Sequence, residues 1–176
     1  MTNKLSNIYL VGPMGSGKTA VGRQLARDLD REFIDTDAEI ERRTGVDIPY
    51  IFEKEGEAGF REREKEVIDK LAQLEGWIVA TGGGAVLAPE NRERLKASGI
   101  VIYLHASVDE QLKRTCRSQN RPLLRNGDPR GVLENLMAMR QPLYEEIADI
   151  RMDTSGRHVN AVANALRKRL ALAPGR

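Results

Sequence analysis

The chain has 176 residues, the length of a single domain and enough to bury a core without disulfide or metal staples. It is 40% hydrophobic, 31% charged and 5% aromatic, and 28 Lys and Arg against 26 Asp and Glu leave a net charge of +2. So even a balance, with so few aromatic rings, does not argue for a nucleic-acid binder, apolar runs of about five residues are too short for a membrane span, and a single cysteine, Cys116, excludes an internal disulfide framework or a multi-cysteine zinc site. The first residues carry no signal-peptide layout, so the expected compartment is cytoplasmic.

Short β-branched runs alternate with longer amphipathic stretches along the chain. The pattern predicts strands at Ile8–Val11, Glu32–Asp35, Trp77–Ala80, Ile100–Leu104 and Ile150–Asp153. Helices are predicted over Lys18–Leu29, Asp37–Arg43, Ala58–Leu74, Pro89–Ser98, Val108–Ser118, Gly131–Ile147 and Asn160–Leu170. Pro49-Tyr50 is expected to interrupt the helical Ile48–Phe52 segment. Strand and helix in alternation imply βαβ units on a five-stranded parallel sheet flanked by helices, one α/β domain over residues 1–176. The polar stretch from Gln119 to Arg130, with Arg121, Arg125 and Arg130, has no period; a structureless run of about a dozen residues inside a compact domain reads as a lid or a disordered loop.

The most specific motif is Gly12-Pro13-Met14-Gly15-Ser16-Gly17-Lys18-Thr19, which fits G-x-x-x-x-G-K-[ST] between a predicted strand and a predicted helix. Its glycines let backbone N–H groups converge on phosphate oxygens, Lys18 can reach the β- and γ-phosphates, and Thr19 can place its hydroxyl on Mg2+. The helix that follows aims its positive end at the same anion. Gly15-Ser16-Gly17-Lys18-Thr19-Ala20 also matches the dinucleotide pattern G-x-G-x-x-A, but that reading leaves Gly12, Lys18 and Thr19 without a task.

The rest of the chain narrows the class. A GTPase needs N-K-x-D downstream, and the only Asn-Lys is Asn3-Lys4, upstream of the loop. Asp153-Thr154-Ser155-Gly156 has the form D-x-x-G but follows the last strand, the wrong place for a switch. No apolar strand ends in Asp-Glu, as a motor ATPase requires: Trp77–Ala80 runs into Thr81-Gly82-Gly83-Gly84 and Ile100–Leu104 into His105. The magnesium-side acid therefore falls in Phe33-Ile34-Asp35-Thr36-Asp37, and small-molecule kinases remain. Asp35 and Asp37, two apart in an extended segment, point to the same side, so one can hold metal-bound water while the other faces an acceptor hydroxyl; alternatively Asp37 caps the helix that follows.

Five segments in order behind the phosphate loop resemble shikimate kinase. They are Asp35-Thr36-Asp37-Ala38-Glu39-Ile40-Glu41, Gly56-Glu57-Ala58-Gly59-Phe60-Arg61-Glu62-Arg63-Glu64, Thr81-Gly82-Gly83-Gly84, Arg121-Pro122-Leu123-Leu124 and Arg140-Gln141-Pro142-Leu143-Tyr144. The resemblance implies a P-loop kinase fold with a substrate-binding helical segment at about 36–62 and a lid at about 119–130. It implies ATP and Mg2+ as cofactors and shikimate as the acceptor, phosphorylated at its 3-hydroxyl. Asp37, Arg61, Gly82, Gly83, Gly84 and Arg140 would bind shikimate, Arg61 and Arg140 through its carboxylate. Met14, Gly15, Ser16, Gly17, Lys18, Thr19 and Ala20 would hold the nucleotide, Arg121 would reach its phosphates, and Arg114 and Arg157 would flank the adenine, with Val159 where some relatives place a proline. Lys18, Asp37 and Arg121 are the expected catalytic residues, Thr19 and Asp35 the magnesium-side pair, and a monomer with neither nucleic acid nor membrane as partner is expected.

Plainer readings stand beside these. Arg61 can pair with Glu57 or Glu64 on its own helix, Gly82–Gly84 can be a flexible strand exit, and Arg140 can be a solvated helix residue. Phe52, Phe60 and Tyr144 read as packing, and Cys116, one turn after Leu112, as a small core or semi-buried residue rather than a nucleophile. The rival functions are a P-loop kinase for gluconate or a nucleoside monophosphate, and a non-catalytic nucleotide-binding module.

Overall fold

The structure, a computed structural model, describes residues 6–116 and 127–173. Five parallel strands form one sheet in the order β2-β3-β1-β4-β5: β1 (Asn7–Val11), β2 (Phe33–Asp35), β3 (Ile78–Ala80), β4 (Gly99–His105) and β5 (Ile150–Asp153). The connecting helices are α1 (Lys18–Leu29), α2 (Thr36–Thr44), α3 (Ile48–Leu71), α4 (Pro89–Ser98), α5 (Val108–Thr115), α6 (Pro129–Ile147) and α7 (Val159–Leu172), with a short 3-10 turn at Ala85–Leu87. The predicted five-stranded parallel sheet and its helical flanks are present. Among the described residues no helix is long and apolar enough to cross a membrane.

The inner strands are buried on both faces, and the alternation along them divides the core in two. Ile8, Leu10, Ile78, Ile102 and Leu104 face α1 and α7, meeting Val21, Leu25, Val162 and Leu166. Tyr9, Val11, Val79, Val101 and Tyr103 face the other way, against Ile40, Phe60, Val67, Leu95 and Tyr144 from α2, α3, α4 and α6. From β1 the chain passes over β3 to the edge strand β2, returns to lay down β3, and then crosses to β4 on the far side of β1. The order thus reverses around β1, which opens a crevice at the C-terminal ends of β1 and β3, where ligands of such sheets bind.

Three local expectations change. Pro49 does not interrupt a helix; it sits in the first turn of α3, where its missing N–H is no loss, and Asp47 caps that turn by accepting the Tyr50 N–H at 2.9 Å. The helix predicted from Ala58 therefore begins ten residues earlier, at Ile48, and bends at Gly56, whose φ of 70° and ψ of −176° break the helical path. Cys116 is exposed rather than in the core, because α5 ends at Thr115 and its buried side is formed by Gln111 and Thr115. Of the expected lid, residues 119–126 lie outside the described residues and 127–130 inside them.

Leu25 is fully buried between α1, α7 and the sheet. Leu25→Ala is expected to lower unfolding free energy by about 2–5 kcal/mol, read as a fall in the urea midpoint at unchanged slope.

Candidate active site

Two glycine loops lie side by side at the C-terminal edge of the sheet, one after β1 and one after β3. The first is the Gly12–Thr19 loop. Gly12, at φ 146°, passes so close to the Leu104 carbonyl that any Cβ would overlap it, which is why a glycine must leave β1 there. Lys18, the first residue of α1, folds over the loop and donates to the Gly12 and Pro13 carbonyls at 2.8 Å each. Thr19 donates its hydroxyl to Asp35 Oδ2 at 2.7 Å. A cavity of about 290 Å3 opens here, and Met14, Gly15, Gly17, Lys18, Thr19 and Ala20 form one wall. Asp35, Asp37, Thr81, Gly82, Gly83 and Arg114 form the rest.

Asp35 and Asp37 both reach this cavity, but not as an extended pair. Helix α2 begins at Thr36, so the strand ends at Asp35 and Asp37 projects from the first helical turn. Asp35 is the residue that caps α2: its Oδ1 accepts the Asp37 N–H at 2.9 Å and the Ala38 N–H at 3.2 Å. The cap expected of Asp37 thus belongs to Asp35, and Asp37 is left aimed at the second glycine loop.

That loop, Gly82-Gly83-Gly84, is pinned residue by residue rather than flexible. Thr81 donates both its N–H and its hydroxyl to the Leu10 carbonyl at 3.0 Å, tying β3 to β1. The Gly82 N–H donates to Thr36 Oγ1 at 3.0 Å, and the buried Tyr144 hydroxyl donates to the Gly83 carbonyl at 2.5 Å. Each glycine admits a different charged group. A methyl placed on Gly82 would lie 2.8 Å from both Asp37 Oδ1 and Glu64 Oε2; one on Gly83 would lie 3.5 Å from an Arg140 guanidinium nitrogen; one on Gly84 would overlap the Arg61 guanidinium.

Arg61 and Glu64 form a pair one helical turn apart at 2.8 Å, with Glu64 wholly buried, and Glu57 adds a second carboxylate at 3.2 Å. The plainer reading of Arg61 therefore holds as far as it goes, and the pair also orients the guanidinium against Gly84. Arg140 is not a solvated helix residue: it is 5% exposed on α6 and packs beside Pro13, Met14 and Tyr144. Asp37 Oδ1, Glu64 Oε2, Arg61 Nε and Arg140 Nε are all enclosed without a hydrogen-bond partner. Buried polar atoms left open in this way are what a polyhydroxylated ligand with a carboxylate would satisfy. Burial, with Asp35 and Glu64 nearby, pushes the Asp37 carboxyl up to about 7, against the opposing pull of Lys18 and Arg61. Burial also raises the Glu64 carboxyl, although Arg61 and Arg140 oppose it.

A second cavity of about 280 Å3 adjoins the first, and Arg114 lines both. Its other walls come from Ser16, Gly17, Ala20 and Val21 on one side and from Thr154, Arg157, His158, Val159 and Val162 on the other. Ser16, Arg157 and Val159 thus fall here rather than in the first cavity. Arg121 lies outside the described residues. The residue that sequence reasoning missed is Glu64, noticed only as a partner for Arg61. The available signal was its position: Phe60, Glu64, Val67, Ile68 and Leu71 recur at helical spacing and all are buried, so the glutamate stands inside an apolar stripe.

A phosphate-cradling loop with its lysine, a buried acid and guanidinium groups beside it, on this strand order, define a P-loop small-molecule kinase. A sequence model of the shikimate kinase family matches residues 14–171. The shikimate kinase of Pseudomonas savastanoi pv. phaseolicola is 53% identical over 172 residues, covering 98% of this chain and all of that one. The structure of shikimate kinase from Acinetobacter baumannii in complex with shikimate superposes with a TM-score of 0.94 at 49% identity, over 97% of this chain and 95% of that one. A gluconokinase from Sinorhizobium meliloti, at 18% identity and a TM-score of 0.58 over 95% and 96% of the two chains, shares the fold alone. The chain belongs to the shikimate kinase family, and it is an ATP-using kinase.

The unfolded chain's Asp37 titrates near the ordinary 3.8 and the folded chain's near 7. The folded protein therefore keeps a proton that the unfolded chain releases between these values; the stability this confers is complete below pH 4 and gone above pH 7, where a buried charge remains. Asp37→Asn is expected to raise the melting temperature of the ligand-free protein at pH 8, with the gain over wild type closing as pH falls from 7 to 4. A constant gain across that range would separate it from this titration.

Proposed function

We propose that the chain transfers the γ-phosphoryl group of ATP to the 3-hydroxyl of shikimate, giving shikimate 3-phosphate and ADP, a step of chorismate and aromatic amino-acid biosynthesis. The observation that carries this reading is one cavity that holds both the Lys18 phosphate loop and Asp37, with Gly82 and Gly83 between Asp37 and the arginines.

The acceptor sits against the second glycine loop. Arg140 and Arg61 take its carboxylate in charge-assisted hydrogen bonds, and Asp37 takes a ring hydroxyl, with Gly82, Gly83 and Gly84 allowing the approach. Glu64 holds Arg61 in place. The nucleotide lies across both cavities, its phosphates on Met14 to Ala20 and its base between Arg114 and Arg157. Lys18 exchanges its two backbone carbonyls for phosphate oxygens. The transition state of phosphoryl transfer is loose, so positioning and charge neutralisation outweigh covalent chemistry, and Lys18 and Arg121 supply the neutralising cations. Asp37 orients the hydroxyl and accepts its proton late in the transfer.

Mg2+ fits the residues present. Thr19 Oγ1 and Asp35 Oδ2 are hard oxygens in contact at the cavity wall. Among the described residues no cluster of three or more His, Cys, Asp or Glu forms a protein-only metal cage, which suits an ion that takes most of its ligands from phosphates and water. Thr19 would ligate the ion and Asp35 a water on it; when bound, it neutralises charge on the phosphate oxygens. The same reading has the enzyme acting as a cytosolic monomer on a small molecule, with neither nucleic acid nor membrane as partner.

ADP release measured in parallel with shikimate, gluconate and AMP tests the acceptor: turnover is expected with shikimate alone, and equal rates with gluconate or AMP would overturn the assignment. Asp37→Asn is expected to lower kcat at least about a hundredfold while ATP binding persists. In the wild type, kcat/KM for shikimate should fall with unit slope below about pH 7, where Asp37 takes up its proton. Arg140→Ala is expected to weaken shikimate binding by about 1.5–3 kcal/mol, the loss of a hydrogen bond to a charged group, read as a raised KM for shikimate against a nearly constant KM for ATP.

A further inference from the structure

The D-x-x-G segment Asp153–Gly156, out of place as a GTPase switch, packs against the underside of the phosphate loop. Thr154 is 2% exposed and sits where four elements meet. Its N–H donates to the His105 carbonyl at the end of β4 at 2.8 Å. Its hydroxyl donates to the Ser16 carbonyl at 2.8 Å, the nearer of two acceptors, the other being the His105 carbonyl at 3.1 Å, and it accepts from Arg114 at 3.1 Å. Its carbonyl accepts from the other terminal nitrogen of the same guanidinium at 2.6 Å, while Arg114 also donates to the Gly15 carbonyl at 3.0 Å. The segment is itself braced: Asp153 Oδ1 accepts the Ser155 N–H at 2.8 Å, and Ser155 Oγ accepts the N–H of Ser107, the cap of α5, at 3.0 Å.

Two consecutive carbonyls of the phosphate loop, Gly15 and Ser16, are therefore held from behind by one threonine and the arginine it carries. A trans peptide places a carbonyl and the following N–H on opposite sides of one rigid plane. Drawing the Ser16 carbonyl toward Thr154 turns the Gly17 N–H the other way, to the side where phosphates bind. We propose that Thr154 is a positioning residue of the phosphate cradle, its hydroxyl fixing the Ser16–Gly17 peptide so that the Gly17 N–H faces the β- and γ-phosphates of the nucleotide. The inference rests on the reading above that Met14 to Ala20 hold the phosphates of ATP. Thr154 touches no reacting atom; it acts through the peptide plane and through Arg114.

The test compares full-length wild type, Thr154→Val, which keeps the shape without the hydroxyl, and Thr154→Ser, which restores it. Affinities for ADP and for inorganic tripolyphosphate, which has no adenine, are read by displacement of a fluorescent ADP analogue. Thr154→Val is expected to lose about tenfold or more for both ligands, the effect of releasing a buried carbonyl in the cradle. Thr154→Ser should stay near wild type, and KM for shikimate should stay within about twofold in every variant, since no acceptor contact changes. A loss confined to ADP would assign Thr154 to the base pocket, and unchanged affinities for both ligands would make it packing; either result overturns the inference, as does an equal loss in Thr154→Ser. If Thr154→Val does not fold, Thr154→Ala, which also lacks the donor, carries the same comparison. Tripolyphosphate binding by a wild type that does not turn over shikimate would overturn the functional reading, not the role of Thr154.

Discussion

Charge held against bare backbone is the constraint on which the rest of this structure depends. Asp37, Glu64, Arg61 and Arg140 all approach Gly82-Gly83-Gly84 where a single methyl group would collide with them or touch them. Charged groups taken out of water are costly unless paired, and here the pairing is incomplete by design of the site. Arg61 and Glu64 satisfy each other in part, while Asp37 Oδ1 and the Nε atoms of both arginines remain open. Burial, with Asp35 and Glu64 nearby, raises the Asp37 carboxyl as a result. The same burial makes the ligand-free protein less stable than it could be, the usual relation between a working site and its scaffold.

The sheet makes that arrangement possible. With strand order β2-β3-β1-β4-β5, the two glycine loops leave neighbouring strands at the same edge and face one crevice above β1 and β3. Nothing in the first loop alone selects an acceptor. Helices α2, α3 and α6 bring Asp37, Glu64 with Arg61, and Arg140 to the second loop from three directions, while Thr36, Leu10 and Tyr144 hold that loop by hydrogen bonds. From behind, Arg114 and Thr154 hold the first loop in the same way, by its carbonyls. Each loop is thus tied to the surrounding elements by several of its backbone groups.

Much of this was legible in the residues. The phosphate loop reads from eight consecutive positions because its chemistry is local: glycines, a lysine and a threonine at fixed spacing make a cradle whatever surrounds them. Strand and helix periods gave five strands and the helical flanks for the same reason, each element burying a face that its own sequence displays. Pro49 misled because a proline reads equally as a breaker and as a first-turn residue, and the deciding cap, Asp47, is a hydrogen bond rather than a pattern. Asp37 read as a cap or a strand partner because spacing cannot say where a strand ends. Asp35 took the cap, and that one-residue difference aims Asp37 at Gly82.

What the sequence determined by itself was the class of chemistry, a phosphate-binding α/β domain with acids and arginines to spare, since those signals lie within single elements. Tertiary structure decided which of them count. It buried Arg140 and set Arg61, paired with Glu64, against the second glycine loop. It drew in Glu64 from an apolar stripe, exposed Cys116, and gave Thr154 its place behind the phosphate loop. Each of those outcomes depends on contacts between residues far apart in the chain, where distance in space and access to water, not spacing in sequence, set the energy of a charge or a hydrogen bond.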